Sequence, residues 1–201
     1  MRQLIIDGKT ITEDSDPYVI AEIGSNHQGS LELCKKLFLE AKRCGADAVK
    51  LQKRDNKAIF TKQAYDAPYQ NENSYADTYG KHREYLEFGE KEYFELYHYA
   101  KEIGITFFAT AFDEKSADFL ESFGVPAYKI ASADLINTLL IEHIISFGKP
   151  VIVSTGGGTW EDIDRAYDRL RDKVPFSFLH CVATYPNKAE ELNLRVIETM
   201  K

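Results

Sequence analysis

Apolar residues in this chain form short unbroken runs, separated by longer stretches in which they recur every three or four positions. The runs cover residues 18–23, 48–51, 105–111, 127–131, 151–153 and 176–182. An unbroken apolar run, unlike an alternating one, suits a strand covered on both faces, as in a parallel sheet. The stretches between runs carry one-sided stripes. In the first, Leu33, Leu37, Ala41 and Cys44 predict a helix, with Ser30 as its N-cap. The segments CGADAVKLQ, IGITFFAT, FGVPAYKI and FGKPVIVS repeat one plan of helix end, glycine and strand. Gly45, Gly104, Gly124 and Gly148 stand where helices should end, and glycine enters the left-handed region there at least cost.

Strands alternating with helices predict an α/β fold with a parallel sheet. Units about 20 to 30 residues apart fit a (β/α)₈ TIM barrel, a fold of about 250 residues. The 201 residues hold six such strands. The expectation is therefore a TIM barrel truncated to about six β/α units, spanning residues 1–201 and ending inside a helix, ELNLRVIETMK. Such a chain is either a piece of a longer protein or is completed by a partner, because open parallel edges are a liability. A doubly wound open sheet is the rival. It is disfavoured because polar residues cluster at the end of every strand, not at one switch point. Residues 53–90 are too long for an ordinary connection, and their mix of aromatic and polar residues suits either a lid or a surface excursion.

Composition narrows the function. The net charge of −7 argues against sequence-independent nucleic-acid binding, so any bound anion needs a local cluster of positive groups. No apolar run approaches a membrane span, and the N-terminus lacks the features of a signal peptide. Cys34, Cys44 and Cys181 show no metal-ligand spacing and read as small buried hydrophobes in a reducing cytoplasm.

The strand ends carry the candidate chemistry, since a barrel builds its active site there. In order they bear Glu22, Asn26 and His27; Lys50 and Gln52; Thr110; Lys129, Ser132 and Asp134; Ser154 and Thr155; His180 and Tyr185. Lys50 and Lys129 lie inside otherwise apolar strands, and unpaired lysines are almost never buried. Each needs an anion. An internal carboxylate such as Glu22 or Asp134 is one solution; the hydroxyl-rich rim favours a ligand. The run Ser154-Thr155-Gly156-Gly157-Gly158 adds backbone N–H groups that can approach a phosphate. Glu22 suits a general base, or a partner for Lys50. His27 and His180 stand singly and support no metal assignment. Tyr185-Pro186 is either a turn or a rim aromatic over a sugar.

The ordered segments IAEIGSNHQGS, GADAVKLQ, KIASADLIN, KPVIVSTGG and FLHCVATYPNKAEELNLRVI resemble the sialic acid synthase family, from Pro17 to the last residue. TYGKHREYLEF resembles an insertion found in part of that family. The resemblance implies a catalytic barrel, followed in the family by an antifreeze-like domain that this chain lacks, in a homodimer. It implies condensation of phosphoenolpyruvate with an N-acyl hexosamine such as N-acetylmannosamine, giving a nonulosonic acid and phosphate. A divalent metal, manganese or magnesium, would activate the aldehyde, with ligands beyond residue 201. By matching motifs, Lys50, Lys129, Thr110, Ser132 and Ser154 would hold phosphoenolpyruvate. Gln52, Asp134 and Tyr185 would face the amino sugar, and Glu22 would be the acidic catalytic residue. The chain departs from the family pattern at Ala133, Leu139 and Ala183. Two other readings stand beside this one: a Schiff-base barrel aldolase using Lys129, and a truncated barrel that only binds a partner.

Overall fold

The structure is a computed structural model that describes residues 3–201. In chain order it contains β1 (Gln3–Ile6), β2 (Lys9–Thr12), β3 (Ile20–Gly24), α1 (Leu31–Arg43), β4 (Ala48–Lys53), α2 (Asn56–Ile59), α3 (Lys62–Tyr65) and α4 (Tyr79–Tyr85). There follow α5 (Glu90–Ile103), β5 (Thr106–Ala111), α6 (Glu114–Ser122), β6 (Tyr128–Ile130), α7 (Thr138–Ile145), β7 (Val151–Ser154), α8 (Trp160–Leu170), β8 (Phe176–Leu179) and α9 (Val196–Thr199). They form two compact units. One is Pro17–Val125; the other joins the residues up to Asp16 with Pro126–Lys201.

In the Pro17–Val125 unit, β4 pairs in parallel with β3 on one side and β5 on the other. Val49, Leu51, Phe107 and Phe108 are buried, with Phe38 of α1 and Tyr93 and Leu96 of α5. The Phe38 and Tyr93 rings lie 5.1 and 5.8 Å from that of Phe107. Each such side chain contributes about 1.5–3 kcal/mol on burial, which is what fixes the helices on these strands. Ser30 does cap α1, accepting from the Leu33 N–H at 3.2 Å. The apolar stripe is centred one position on from the predicted one. Cys34 and Phe38 are buried, while Leu33, Leu37 and Ala41 flank them and Cys44, past the last turn, is exposed.

The other unit pairs β6, β7 and β8 in parallel, with α7 and α8 supplying Leu140, Ile141, Ile144 and Leu170 to its core. It also contains an antiparallel hairpin, β1–β2, that the hydrophobic runs did not reveal. Asp7 and Gly8 turn it with φ of 50° and 79°, the left-handed pair that matches strand twist. The predicted terminal helix is not continuous. Asn193, at φ 47°, interrupts it, and of ELNLRVIETMK only the four residues of α9 are α-helical.

All four glycines expected to end helices have positive φ, from 68° to 84°. Continuous burial holds along β4 to β7 and fails at β3 and β8, whose residues are largely half-exposed. Residues 53–90 are not an open excursion. They contain three short helices capped by Asp55, Thr61 and Thr78, and a ring cluster of Tyr69, Tyr75, Tyr79 and His82. Gly80 is required there, because a Cβ would lie 2.2 Å from the Tyr65 ring. Among the described residues no helix is long and apolar enough to cross a membrane.

Candidate active site

The Pro17–Val125 unit places four predicted residues together. Glu22 and Lys50 are register partners on β3 and β4, and Gln52 and Thr110 are partners on β4 and β5. Lys50 is 5% exposed. Its ammonium donates to Thr110 Oγ1 at 2.6 Å and forms an ion pair with Glu22, whose side chain is 48% exposed. The carboxylate solution is thus realised for Lys50, on the solvent side. Burial nonetheless holds the Lys50 pKa below the ordinary lysine value, against the pull of Glu22.

The second unit repeats the arrangement. Lys129, 8% exposed, donates to Ser154 Oγ at 2.6 Å and to the Ile130 carbonyl at 2.8 Å. In both units the lysine faces its register partner on the next strand, Phe108 or Ile152. Its acceptor hydroxyl lies two residues further along that strand, at Thr110 or Ser154. Two residues is the period of one sheet face, so each pair sits on a single face near the strand's C-terminal end.

Ser154 Oγ also receives the Cys181 thiol at 3.3 Å, and Ser132 Oγ accepts from the Gly156 N–H at 3.1 Å. The crowding around the loop gives Gly156 and Gly158 a packing role. A Cβ on Gly156 would lie 3.0 Å from Ser132 Oγ, and one on Gly158 2.3 Å from Leu135 Cδ2. Asp134 lies in a 3₁₀ turn after β6 and accepts from Asn137 at 3.3 Å. Tyr185 is 96% exposed, on a segment without regular structure, and follows a chain course in which β8 stops at Leu179, short of the predicted 182. Cys181 is half-exposed, so of the three cysteines Cys34 alone is a fully buried hydrophobe. His27 is buried against Phe88 and His180 bonds the Leu192 carbonyl at 2.7 Å, both roles within the fold.

Sequence reasoning passed over Arg54. Its guanidinium donates to Gln52 Oε1 and lies 3.8 Å from the centre of the Phe112 ring. The signal was available: Arg54 stands two residues beyond Gln52, on the same face of β4 continued.

Among the described residues no group of three or more His, Cys, Asp or Glu side chains is placed to hold a metal ion. The described residues therefore do not make a metal site.

Residues 37–201 match the NeuB family. The chain belongs to the NeuB family. It is 38% identical to N-acetylneuraminate-9-phosphate synthase of Drosophila melanogaster over 98% of this chain and 53% of that protein. The Homo sapiens protein of the same name is 39% identical over 90% of this chain and 50% of its own length. N,N'-diacetyllegionaminic acid synthase of Legionella pneumophila is 35% identical, over 91% and 53%. The crystal structure of N-acetylneuraminic acid synthetase from Leptospira borgpetersenii superposes with a TM-score of 0.86 at 30% identity, covering 98% of this chain and 65% of that one. This NeuB-family chain thus has an α/β fold shared with that structure over the residues covered. It spans about half the length of the curated relatives it matches.

Proposed function

We propose that this protein condenses phosphoenolpyruvate with an N-acylated amino sugar, giving a nonulosonic acid and inorganic phosphate. The observation that carries the proposal is the repeated pair of buried strand lysines, each bonded to a strand hydroxyl at 2.6 Å, in a NeuB-family chain. Phosphoenolpyruvate offers a phosphate and a carboxylate, groups that ammonium and hydroxyl donors at strand ends can hold. The family membership, and relatives that are synthases of sialic and legionaminic acids, support the carbohydrate half.

On this reading Lys50 with Thr110, and Lys129 with Ser132 and Ser154, anchor the two anionic groups. Gln52, Asp134 and Tyr185 are assigned to the amino sugar. C3 of phosphoenolpyruvate attacks the sugar aldehyde and water adds at C2. The C2–O bond to phosphate then breaks, and phosphate leaves. Glu22, half in solvent and touching Lys50, is the carboxylate suited to pass the proton between water and the reacting centre.

The test is phosphate release from phosphoenolpyruvate in the presence of manganese and N-acetylmannosamine or a related N-acyl hexosamine. Release should require the sugar and Lys129. Release without any sugar, or none with a panel of N-acyl hexosamines, would refute the proposal. Borohydride trapping of a carbonyl substrate on Lys129 would favour the aldolase instead.

A further inference from the structure

A serine hydroxyl has two lone pairs with which to accept and one proton to donate. At Ser154 both lone pairs are taken. The buried Lys129 ammonium donates to Oγ at 2.6 Å, and the Cys181 thiol donates to it at 3.3 Å. Only the O–H remains, and among the described residues no acceptor takes it. Ser154 is 7% exposed, and a buried donor left unmade is costly. The register explains how the three groups meet. Ser154 lies two residues past Ile152, the partner of Lys129, and Cys181 lies two residues past Leu179, the partner of Ser154. Each step of two keeps the next side chain on the same sheet face. Gly156 closes the cluster. A Cβ there would lie 3.0 Å from Ser132 Oγ and 3.2 Å from Cys181 Cβ, so only glycine admits both side chains at this distance.

We propose that Cys181 is a positioning residue for phosphoenolpyruvate: its thiol fills the second lone pair of Ser154, so that the Ser154 O–H points at an anionic oxygen of that substrate. This rests on the synthase reading above and deepens it, adding a residue that acts through Ser154. A hydroxyl free to rotate could turn a lone pair toward the incoming anion and repel it. One that already accepts from a cation and a thiol can only donate, and accepting from the cation strengthens it as a donor. A thiol suits the task because sulfur is a weak acceptor. Cys181 supplies its S–H without competing for the Ser154 proton, as a hydroxyl in its place would.

Calorimetric titration with phosphoenolpyruvate compares the wild type with Cys181→Ala, Cys181→Ser, Ser154→Ala and the double variant carrying both alanines. Cys181→Ala should weaken binding about three- to tenfold, the range that one net hydrogen bond implies. Cys181→Ser, the gentler change for the fold, should weaken it as well, since its oxygen takes the Ser154 proton. In the Ser154→Ala background, Cys181→Ala should cost nothing further. A role confined to packing against Gly156 would instead give additive losses. In turnover the loss should fall on KM for phosphoenolpyruvate, with KM for the amino sugar within about twofold. Additive losses would overturn the proposal. So would folded Cys181 variants that bind phosphoenolpyruvate as tightly as a wild type whose binding needs Lys129, a result that leaves the synthase reading standing. A folded wild type that binds no phosphoenolpyruvate would overturn that reading and this proposal with it.

Discussion

His27 gives a quantitative handle on the loop after β3. It is 4% exposed and stacks on Phe88, ring centres 4.1 Å apart and planes 26° apart. Its Nδ1 accepts from the Gly29 N–H at 3.1 Å, so the ring is neutral with its proton on Nε2. Protonation would set a second N–H against the Gly29 donor, inside an apolar stack. Burial accordingly lowers the pKa from 6.5 to about 4. The sign follows from the depressed value. The unfolded chain takes up this proton as pH falls through 6.5, whereas the folded chain resists until pH reaches about 4. The fold therefore loses stability across that window and keeps it in full above. At about 1.4 kcal/mol per pH unit, the loss approaches roughly 3 kcal/mol. His27→Asn keeps an acceptor for Gly29 and removes the titration. It should be less stable than wild type at pH 7.5, by about 1–2 kcal/mol for the lost stacking area. The gap should close, and then reverse, as pH falls to 4. Urea unfolding followed by circular dichroism between pH 4 and 7.5 measures it. A wild-type-minus-variant difference that stays constant with pH would refute the reasoning.

Three further outcomes follow from contacts already described. Gly80→Ala should destabilise the protein by about 1–3 kcal/mol through overpacking against Tyr65, and should raise hydrogen exchange in α3 and α4 before other helices. Gly158→Ala should cost a similar amount, about 1–3 kcal/mol, against Leu135, whereas Gly45→Ala, with open space around its Cβ, should cost about 1 kcal/mol from its positive φ alone; thermal melts compare them. Glu22→Gln should lower phosphate release far more than it lowers stability. With the carboxylate half in solvent, its loss should cost the fold about 1 kcal/mol.

What could be read from the sequence was whatever depends on neighbours a few residues away. The helix-ending glycines at 45, 104, 124 and 148 were legible because a left-handed residue after a helix is a local demand. The strands β4 to β7 were legible because burial on both faces keeps their residues mostly apolar, with only a few polar positions such as Lys50, Thr110, Lys129 and Ser154. The hairpin was legible in principle, since LIIDGKTIT carries the Asp-Gly turn between apolar residues, and it was missed because its strands are four residues long. The lysines were singled out because a charge in an apolar strand is conspicuous. Their hydroxyl partners on the next strand could not be paired with them without the register. Arg54 and Arg83 escaped notice for a related reason. They are 29 positions apart in polar segments, and only the folded insertion sets the charge of Arg83 against Arg54. The glycine run at 156–158 has a packing reason that only the folded chain shows, since a Cβ on Gly156 would meet Ser132 and Cys181 and one on Gly158 would meet Leu135.

Titration of phosphoenolpyruvate into the protein by calorimetry tests the central claim most directly. The account predicts saturable binding that weakens at least about tenfold in Lys50→Ala and in Lys129→Ala, each lysine losing one charge-assisted contact, while circular dichroism shows both variants folded. A folded wild type that does not bind phosphoenolpyruvate, or two folded variants that bind it as tightly as wild type, would contradict it.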